Sequence, residues 1–457
     1  MDRHSIDRRC FLEMAGSGAL AASLTQVSVA GRTQGKPNIV LILVDDLGYG
    51  ELSSYGAGDM RTPNIDRLMA SGMRLDNFYA NCPVCSPTRA ALLTGCYPDL
   101  VGVPGVIRTH EDDNFGYLSE DADLLPSVLK KAGYHSALVG KWHLGLESPN
   151  TPLDRGFDFF HGFLGDMMDD YYTHLRHDIN YMRKNREVIE PNGHATDLFS
   201  EWSVDYINDR AGKENPFFLY LAYNAPHTPV QPPEEWLLKV KQREPGIEED
   251  RARLVALIEH LDQGIGRVLD SLGKNGITEE TLVVFTSDNG GLLRVGASNG
   301  SLRGGKQNMY EGGIRVPACV SWPGKIVPGR DSSSIGLTMD LFPTICDIAG
   351  ISAASGSING ISLVPAVLEG SCMEDKRLLF WMRREGNRYG GRVYYAARYG
   401  DFKLLHNSPF EPMQLFDLGE DPGELRPLDM EHRMYGQLFS SLQKHIQKSG
   451  AVPWQEK

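Results

Sequence analysis

The sequence predicts an α/β protein. It has a large, mostly parallel sheet covered on both faces by helices, then a smaller C-terminal unit of antiparallel sheet plus a helix. Three observations predict it. Short apolar runs without alternation recur at 38–44, 136–140, 217–223 and 281–286, and such runs read as strands buried on both faces. Segments of helical periodicity at 124–132, 196–209 and 252–272 precede several of them, the order that builds parallel sheets by crossover. After about residue 370 the pattern shifts to short strand-like pieces at 378–382, 392–398, 402–405 and 413–418 and a helical end at 434–445.

Residues 1–30 read as a targeting segment. Arg8-Arg9-Cys10-Phe11-Leu12 resembles a twin-arginine export signal, and the weakly apolar run 14–24 is too short to span a bilayer. Ser28-Val29-Ala30 offers a small-x-small cleavage site. The expectation is a bacterial protein exported folded by the twin-arginine machinery, periplasmic or secreted, with no stable membrane span. A disordered cytosolic leader is the alternative.

The first strand ends in Asp45-Asp46. Two adjacent carboxylates are costly to bury unless a cation joins them, although a solvated turn also accommodates them. The other runs end in the same polar way. One leads into Lys141 and His143, one into Asn224-Ala225-Pro226-His227, and one into Ser287-Asp288-Asn289-Gly290. Parallel sheets bind ligands beyond the carboxyl ends of their strands. Four strands therefore deliver Asp45, Asp46, Lys141, His143, His227, Asp288 and Asn289 to one edge.

Between the first two runs lies Cys85-Ser86-Pro87-Thr88-Arg89, followed by Ala90 to Leu93 and Thr94-Gly95. Ser86 can act as N-cap, Pro87 fits the first helical position and Gly95 can close the helix. Cys85 then sits just before a helix N-terminus, where the dipole favours an anion, with Arg89 one turn on. Read locally, this is either a reactive sulfur or a buried cysteine beside an ordinary helix. The glycine-rich stretch 296–317 carries Lys306, close enough in sequence to Asp288-Asn289 to reach the same edge. Stretch 350–370, rich in Ser, Gly, Ala and Asn, reads as a linker. The division is a leader at 1–30, a catalytic domain at 36–365 and a C-terminal subdomain at 366–457.

A chain of 457 residues with formal net charge −13 is disfavoured as a binder of nucleic acid or of acidic membranes. Any anionic substrate must be drawn by local cations. Seven cysteines are too few for a disulfide scaffold. Cys82-Pro-Val-Cys85 is a C-x-x-C, but it lacks the βαβ context of a redox motif and a second ligand pair for zinc.

The order Cys85-x-Pro87-x-Arg89, then Thr94-Gly95, resembles the signature of the type I sulfatases, and the likeness extends from Asn38 to Phe416-Asp417-Leu418. It implies an alkaline-phosphatase-like α/β/α sandwich with a smaller C-terminal domain. It implies that Cys85 is converted to formylglycine by a formylglycine-generating enzyme, and that one divalent cation, usually Ca2+, is bound by Asp45, Asp46, Asp288, Asn289 and the modified Cys85. Arg89 and Lys141 would neutralise the sulfuryl oxygens. His227, with Lys306, would protonate the departing alcohol, and His143 would take a proton from the nucleophile's second hydroxyl. The stretch 298–313 further resembles the N-acetylgalactosamine-6-sulfatase branch, and arylsulfatase A-like enzymes share much of it. Asp166 to His174 is an acidic, aromatic loop that either stacks on a sugar ring or packs as surface. The expected function is sulfate removal from a sulfated carbohydrate. The alternatives are an aryl sulfatase, a phosphate or phosphonate monoester hydrolase, and a non-catalytic binder of sulfated glycans should Cys85 stay a thiol.

Overall fold

A computed structural model describes residues 35–110, 116–352, 358–373, 376–386 and 391–452; the leader 1–30 lies outside these. Its centre is a ten-stranded sheet. Five strands run parallel, in the order Thr281–Ser287, Asn38–Val44, Phe217–Ala222, His135–Lys141, Phe159–Phe163. Ala318–Ser321 pairs antiparallel beyond Thr281–Ser287, and Met182–Lys184 antiparallel beyond Phe159–Phe163. All four predicted central strands are present, each within two residues of its expected ends.

The two faces are read directly off the central strand. Ile39, Leu41 and Leu43 point into one apolar core, and Val40, Ile42 and Val44 into the other. A period of two with both faces covered leaves no polar side, so the run carries none. Each such side chain contributes about 1.5–3 kcal/mol by burial. The first core is roofed by helices Cys85–Thr94, Leu125–Lys130 and Leu341–Ile348, the second by Pro63–Ala70, Ala195–Arg210 and Glu249–Lys274. The last is 26 residues long, with Glu249 and Asp250 in its first turn and Lys274 in its last, matching its dipole. Its buried Asp262 accepts hydrogen bonds from the Asn64 and Ile65 amides, capping helix Pro63–Ala70 from outside.

The C-terminal unit is an antiparallel sheet of Leu378–Arg384, Val393–Tyr399, Phe402–His406 and Gln414–Asp417. Helix Arg433–Gly450 packs Met434, Leu438 and Leu442 on one face of it. The other face, through Leu379, Trp381, Ala396 and Phe416, meets Tyr79, Ala91 and Met309 of the large sheet's layer. The stretch 350–370 is not the free linker its composition suggests. Leu363, Ala366 and Val367 are buried, and the Asn359 and Gly360 amides both donate to the Gly95 carbonyl at 2.8 Å. Its described residues from 358 on thus satisfy the end of helix Cys85–Thr94.

A buried ionic cluster joins the two units. Lys403 Nζ donates to Glu311 at 2.8 Å and to Glu424 at 2.9 Å, and all three side chains are at most 1% exposed. Burial alone would raise the Glu311 carboxyl, but Lys403, Arg398 and Arg315 outweigh it and hold it at about 2. Truncating one partner of such a cluster strands the other charges in a dry site. Lys403→Met is therefore expected to lower the unfolding free energy by about 3–5 kcal/mol at pH 7 in denaturant titration. The sign with pH follows. Native Glu311 stabilises the fold above its unfolded value of ~4.5 and loses that as pH falls towards 2. In the variant the two carboxylates are raised instead, and protonation relieves them. The deficit should shrink below about pH 5; a deficit that grows on acidification would contradict this assignment.

Candidate active site

The strand ends converge as the topology requires. The Asp45 amide donates to the Ala225 carbonyl and the Asp288 amide to the Val44 carbonyl, both at 3.1 Å, so three loops are stitched where the strands stop. Asp46 and His143 hold the left-handed conformation, φ 67° and 65°, which is rare for residues with a Cβ and concentrates at functional sites. Gly290 must be glycine: a Cβ there would lie 1.8 Å from the Gly312 carbonyl oxygen.

Helix Cys85–Thr94 brings the sulfur. The structure corrects its start: Val84 is the N-cap, Cys85 is already in the first turn, and no side chain caps the helix. Ser86 does not cap because its Oγ accepts the Ile107 amide at 3.0 Å, tying a neighbouring loop to the helix. Thr88 Oγ1 instead bonds both the Cys82 amide and carbonyl. Gly95 closes the helix at φ 69°, as predicted. Cys82 and Cys85 are both reduced, and Cys82 Sγ lies 3.3 Å from the Met382 carbonyl, so the C-x-x-C forms no disulfide.

Around Cys85 the charges are dense and dry. Asp45, Asp46, Cys85 and His227 each place one potential donor atom within 4.8 Å of the others. Lys141 Nζ donates to Asp45 Oδ2 at 2.5 Å, and Arg89 Nη2 lies 3.3 Å from the same oxygen. Arg89 also donates twice to Asp288 Oδ2, at 2.7 and 3.1 Å. Asp288 Oδ1 accepts the Asp46 amide, and Asn289 Nδ2 donates to Asp46 Oδ1 at 2.8 Å. Lys306 Nζ lies 2.7 and 2.8 Å from the two Asp46 oxygens and 3.8 Å from Cys85 Sγ. All ten expected site residues thus meet in one place: Asp45, Asp46, Cys85, Arg89, Lys141, His143, His227, Asp288, Asn289 and Lys306 share it.

The electrostatics follow from burial and neighbours. Burial opposes ionisation of Asp45, yet Lys141, His227, Arg89 and Lys306 together hold it well below the usual range. Burial and the Asp45 charge push Asp288 up to about 7 against Arg89. Burial pushes the Cys85 thiol up to about 12, so the unmodified residue is a poor nucleophile. Burial, with Lys141 and Arg89, holds His143 well below its ordinary value; burial and Lys306 lower His227. Both imidazoles are oriented by a carbonyl. His143 Nε2 donates to Ile107 at 2.7 Å, leaving Nδ1 buried with no partner. His227 Nδ1 donates to Thr228 at 2.7 Å, leaving Nε2 3.7 Å from Asp46.

The donors suit a hard divalent cation. Asp45 Oδ1 and Asn289 Oδ1 are buried without a hydrogen-bond partner beside the Asp46 and Asp288 carboxylates, and such oxygens are what Ca2+ or Mg2+ requires. The thiol is the misfit in that oxygen set; an oxygen in its place would complete it.

Sequence reasoning missed the residues that brace this set. Tyr171, read as part of a possible sugar platform, is buried and donates its hydroxyl to the His227 carbonyl at 2.9 Å. Asp166 pairs with Arg176, and Asp170 accepts from Gln231, so the loop packs; of its aromatics, Tyr172 is exposed. No periodicity marks such contacts, since they join loops far apart in the chain.

A family model described as Sulfatase matches residues 37–351. The chain belongs to the sulfatase family. A second model, N-sulphoglucosamine sulphohydrolase, C-terminal, matches residues 305–451. The sulfatase is 33% identical to N-acetylgalactosamine-6-sulfatase of Mus musculus over 96% of this chain and 89% of that one. It is 32% identical to arylsulfatase A of Homo sapiens over 85% and 82%. Among solved structures, Ps i-CgsB in complex with k-i-k-neocarrahexaose superposes with TM-score 0.84 at 31% identity, over 93% of this chain and 95% of that one. The fold is therefore the alkaline-phosphatase-like one expected, and the sulfatase is a sulfuric ester hydrolase. Among the described residues no helix is long and apolar enough to cross a membrane.

Tyr171→Phe leaves the His227 carbonyl buried and short of one donor. It should cost about 1–3 kcal/mol of unfolding free energy, read by denaturant titration. A change below a few tenths would show that Tyr171 does not brace His227.

Proposed function

We propose that this sulfatase removes sulfate from a sulfated carbohydrate, with N-acetylgalactosamine-6-sulfate-type esters as the leading class, using Cys85 in its formylglycine form. The observation that carries the reading is the burial of Cys85 against Asp45, Asp46, His227 and Lys306, beside two oxygens without partners. The substrate class is supported by the relatives' names and by the hexaose bound to Ps i-CgsB.

Asp45, Asp46, Asp288 and Asn289 would hold the cation, calcium by family likeness, and the aldehyde hydrate would stand at Cys85. When present, the two supply charge neutralisation at the sulfuryl oxygens and a hydroxyl nucleophile. The chain's own side chains do the rest. Arg89 and Lys141, paired with Asp45 and Asp288, orient those carboxylates and would neutralise the sulfuryl oxygens beside them. His227 Nε2, once protonated, faces the leaving oxygen and donates to it; an anionic ester beside the ring favours the charged imidazole. Lys306, between Asp46 and Cys85, steadies the charge that builds on that oxygen. His143 Nδ1 carries the free lone pair and takes the proton released when the nucleophile is regenerated. The leader at 1–30 supports export by the twin-arginine machinery, with a formylglycine-generating enzyme acting on Cys85 beforehand.

Four measurements test the reading. Sulfate release from sugars with defined sulfate positions should be fastest from 6-O-sulfated N-acetylgalactosamine, and Cys85→Ala should abolish it; mass spectrometry should find an aldehyde at Cys85. Phosphate released faster than sulfate from matched aryl esters, or an intact thiol in active enzyme, overturns it. Chelation should remove activity and calcium restore it; full activity after exhaustive chelation would exclude the cation.

A further inference from the structure

The mechanism leaves a buried guanidinium from the other unit of the fold without a use. Arg383 lies in strand Leu378–Arg384 of the C-terminal sheet and is 2% exposed. Its Nε and Nη2 both lie 2.9 Å from Glu385 Oε1, and Glu385 also meets Arg108 at 2.9 Å. With one fork satisfied this way, Arg383 sends Nη1 across the unit boundary to the Gln307 carbonyl, at 3.0 Å.

Gln307 is an unusual residue to hold. It has φ 80°, a left-handed conformation that is unfavourable for a residue with a Cβ and persists only where the surroundings impose it. Two contacts impose it. The Gln307 amide donates to the Pro83 carbonyl at 2.8 Å, two residues before Cys85, and Arg383 takes the Gln307 carbonyl. The residue immediately before it is Lys306, whose amide donates to the Gly291 carbonyl and whose Nζ stands between Asp46 and Cys85. The Lys306 backbone is thus clamped on one side by the glycine-rich loop and on the other by Arg383 through Gln307.

We propose that Arg383 is a positioning residue for the sulfatase reaction: by holding the Gln307 carbonyl it fixes Lys306 at the leaving-group side of Cys85. This rests on the reading of Lys306 as a group that serves the departing oxygen. It gives the C-terminal sheet a part in catalysis that touches no substrate.

The test uses the full-length enzyme and two sulfate esters, an activated aryl sulfate with a good leaving group and a sugar sulfate with a poor one. Arg383→Lys keeps the charge against Glu385, but an ammonium lacks the fork that spans Glu385 and Gln307 together. An ångström-scale displacement of a catalytic group costs up to about a hundredfold. The expected result is a fall of about 10- to 100-fold in kcat on the sugar sulfate, a change under about threefold on the aryl ester and KM nearly unchanged, with the melting temperature retained. Lys306→Ala, which also strips Asp46 of its cation, should lower kcat on both esters and by at least tenfold more on the sugar sulfate, and adding Arg383→Lys to it should cost nothing further. Equal losses on both esters, or none, in Arg383→Lys while Lys306→Ala is selective overturn the Arg383 assignment. Equal losses on both in Lys306→Ala remove the reading beneath it, and the inference falls with it. Should Arg383→Lys not fold, Arg383→Gln combined with Glu385→Gln removes the fork together with the carboxylate it balances, and the same two esters decide.

Discussion

Everything in this structure answers to one constraint: three carboxylates and three cationic side chains share a site from which water is nearly excluded. Asp45, Asp46 and Asp288 are at most 4% exposed, Arg89 and Lys141 are fully buried, and Lys306 has a side chain 9% exposed. Removing each ion from water costs several kcal/mol even after relaxation, and only close opposite charge and full hydrogen bonding return it. The six groups come from five separate segments of the chain. No single loop can arrange them, so the sheet must, and its parallel core is what brings their carbonyl ends to one edge. The left-handed backbone at Asp46 and His143 is the local cost of aiming those side chains inward.

The same logic explains why the two units are welded together. Glu311 closes the glycine-rich loop that carries Lys306, and its carboxylate is held by Lys403 of the C-terminal sheet. Arg303 of that loop donates to the Glu424 carbonyl, and Trp381 Nε1 donates to the Ala80 carbonyl ahead of the catalytic helix. A flexible second unit would leave these groups half-paired and the loop free to move. The stretch at 358–363 belongs to the same design, since its Asn359 and Gly360 amides cap the far end of helix Cys85–Thr94. The cysteine helix is therefore fixed at both ends by pieces of chain remote in sequence.

How much of this is legible in the sequence depends on whether the cause is local. A strand covered on both faces has to be apolar throughout, so Asn38–Val44 and Thr281–Ser287 announce themselves. The polar residues that end them are equally visible, and so is the long motif from Cys85 to Gly95. The short strands that flank the parallel core are not. Ala318–Ser321 and Met73–Leu75 have 4 and 3 residues, too few for a period to show. The N-cap was misread because Ser86 and Pro87 fit a cap by residue type, and only the arrival of Ile107 shows that the Ser86 hydroxyl is engaged elsewhere. Lys403, Tyr171 and Arg383 are illegible for the same reason: each works through a contact to a residue distant in the chain, and a lone lysine, tyrosine or arginine in a strand or loop carries no signal of where it points. Resemblance to the type I sulfatases supplied the ligand set, which spacing alone does not contain.

The charge count also explains how an acidic protein can take an anionic ester. The overall formal charge of −13 is spread over the surface and screened beyond about 8–10 Å at physiological salt. The six buried groups sum to zero, three negative against three positive. A divalent cation held at the unpartnered oxygens of Asp45 and Asn289 would leave the site with an excess of positive charge that these six groups do not cancel. A sulfate monoester brings one negative charge to that place, and in a site this dry the attraction acts at close range with little screening. The carboxylates balance Arg89, Lys141 and Lys306 so that these can be buried at all, and in the proposed function they would also hold the cation. The anion would be recognised by what remains after that balance, with the surface charge of the molecule having little say in it.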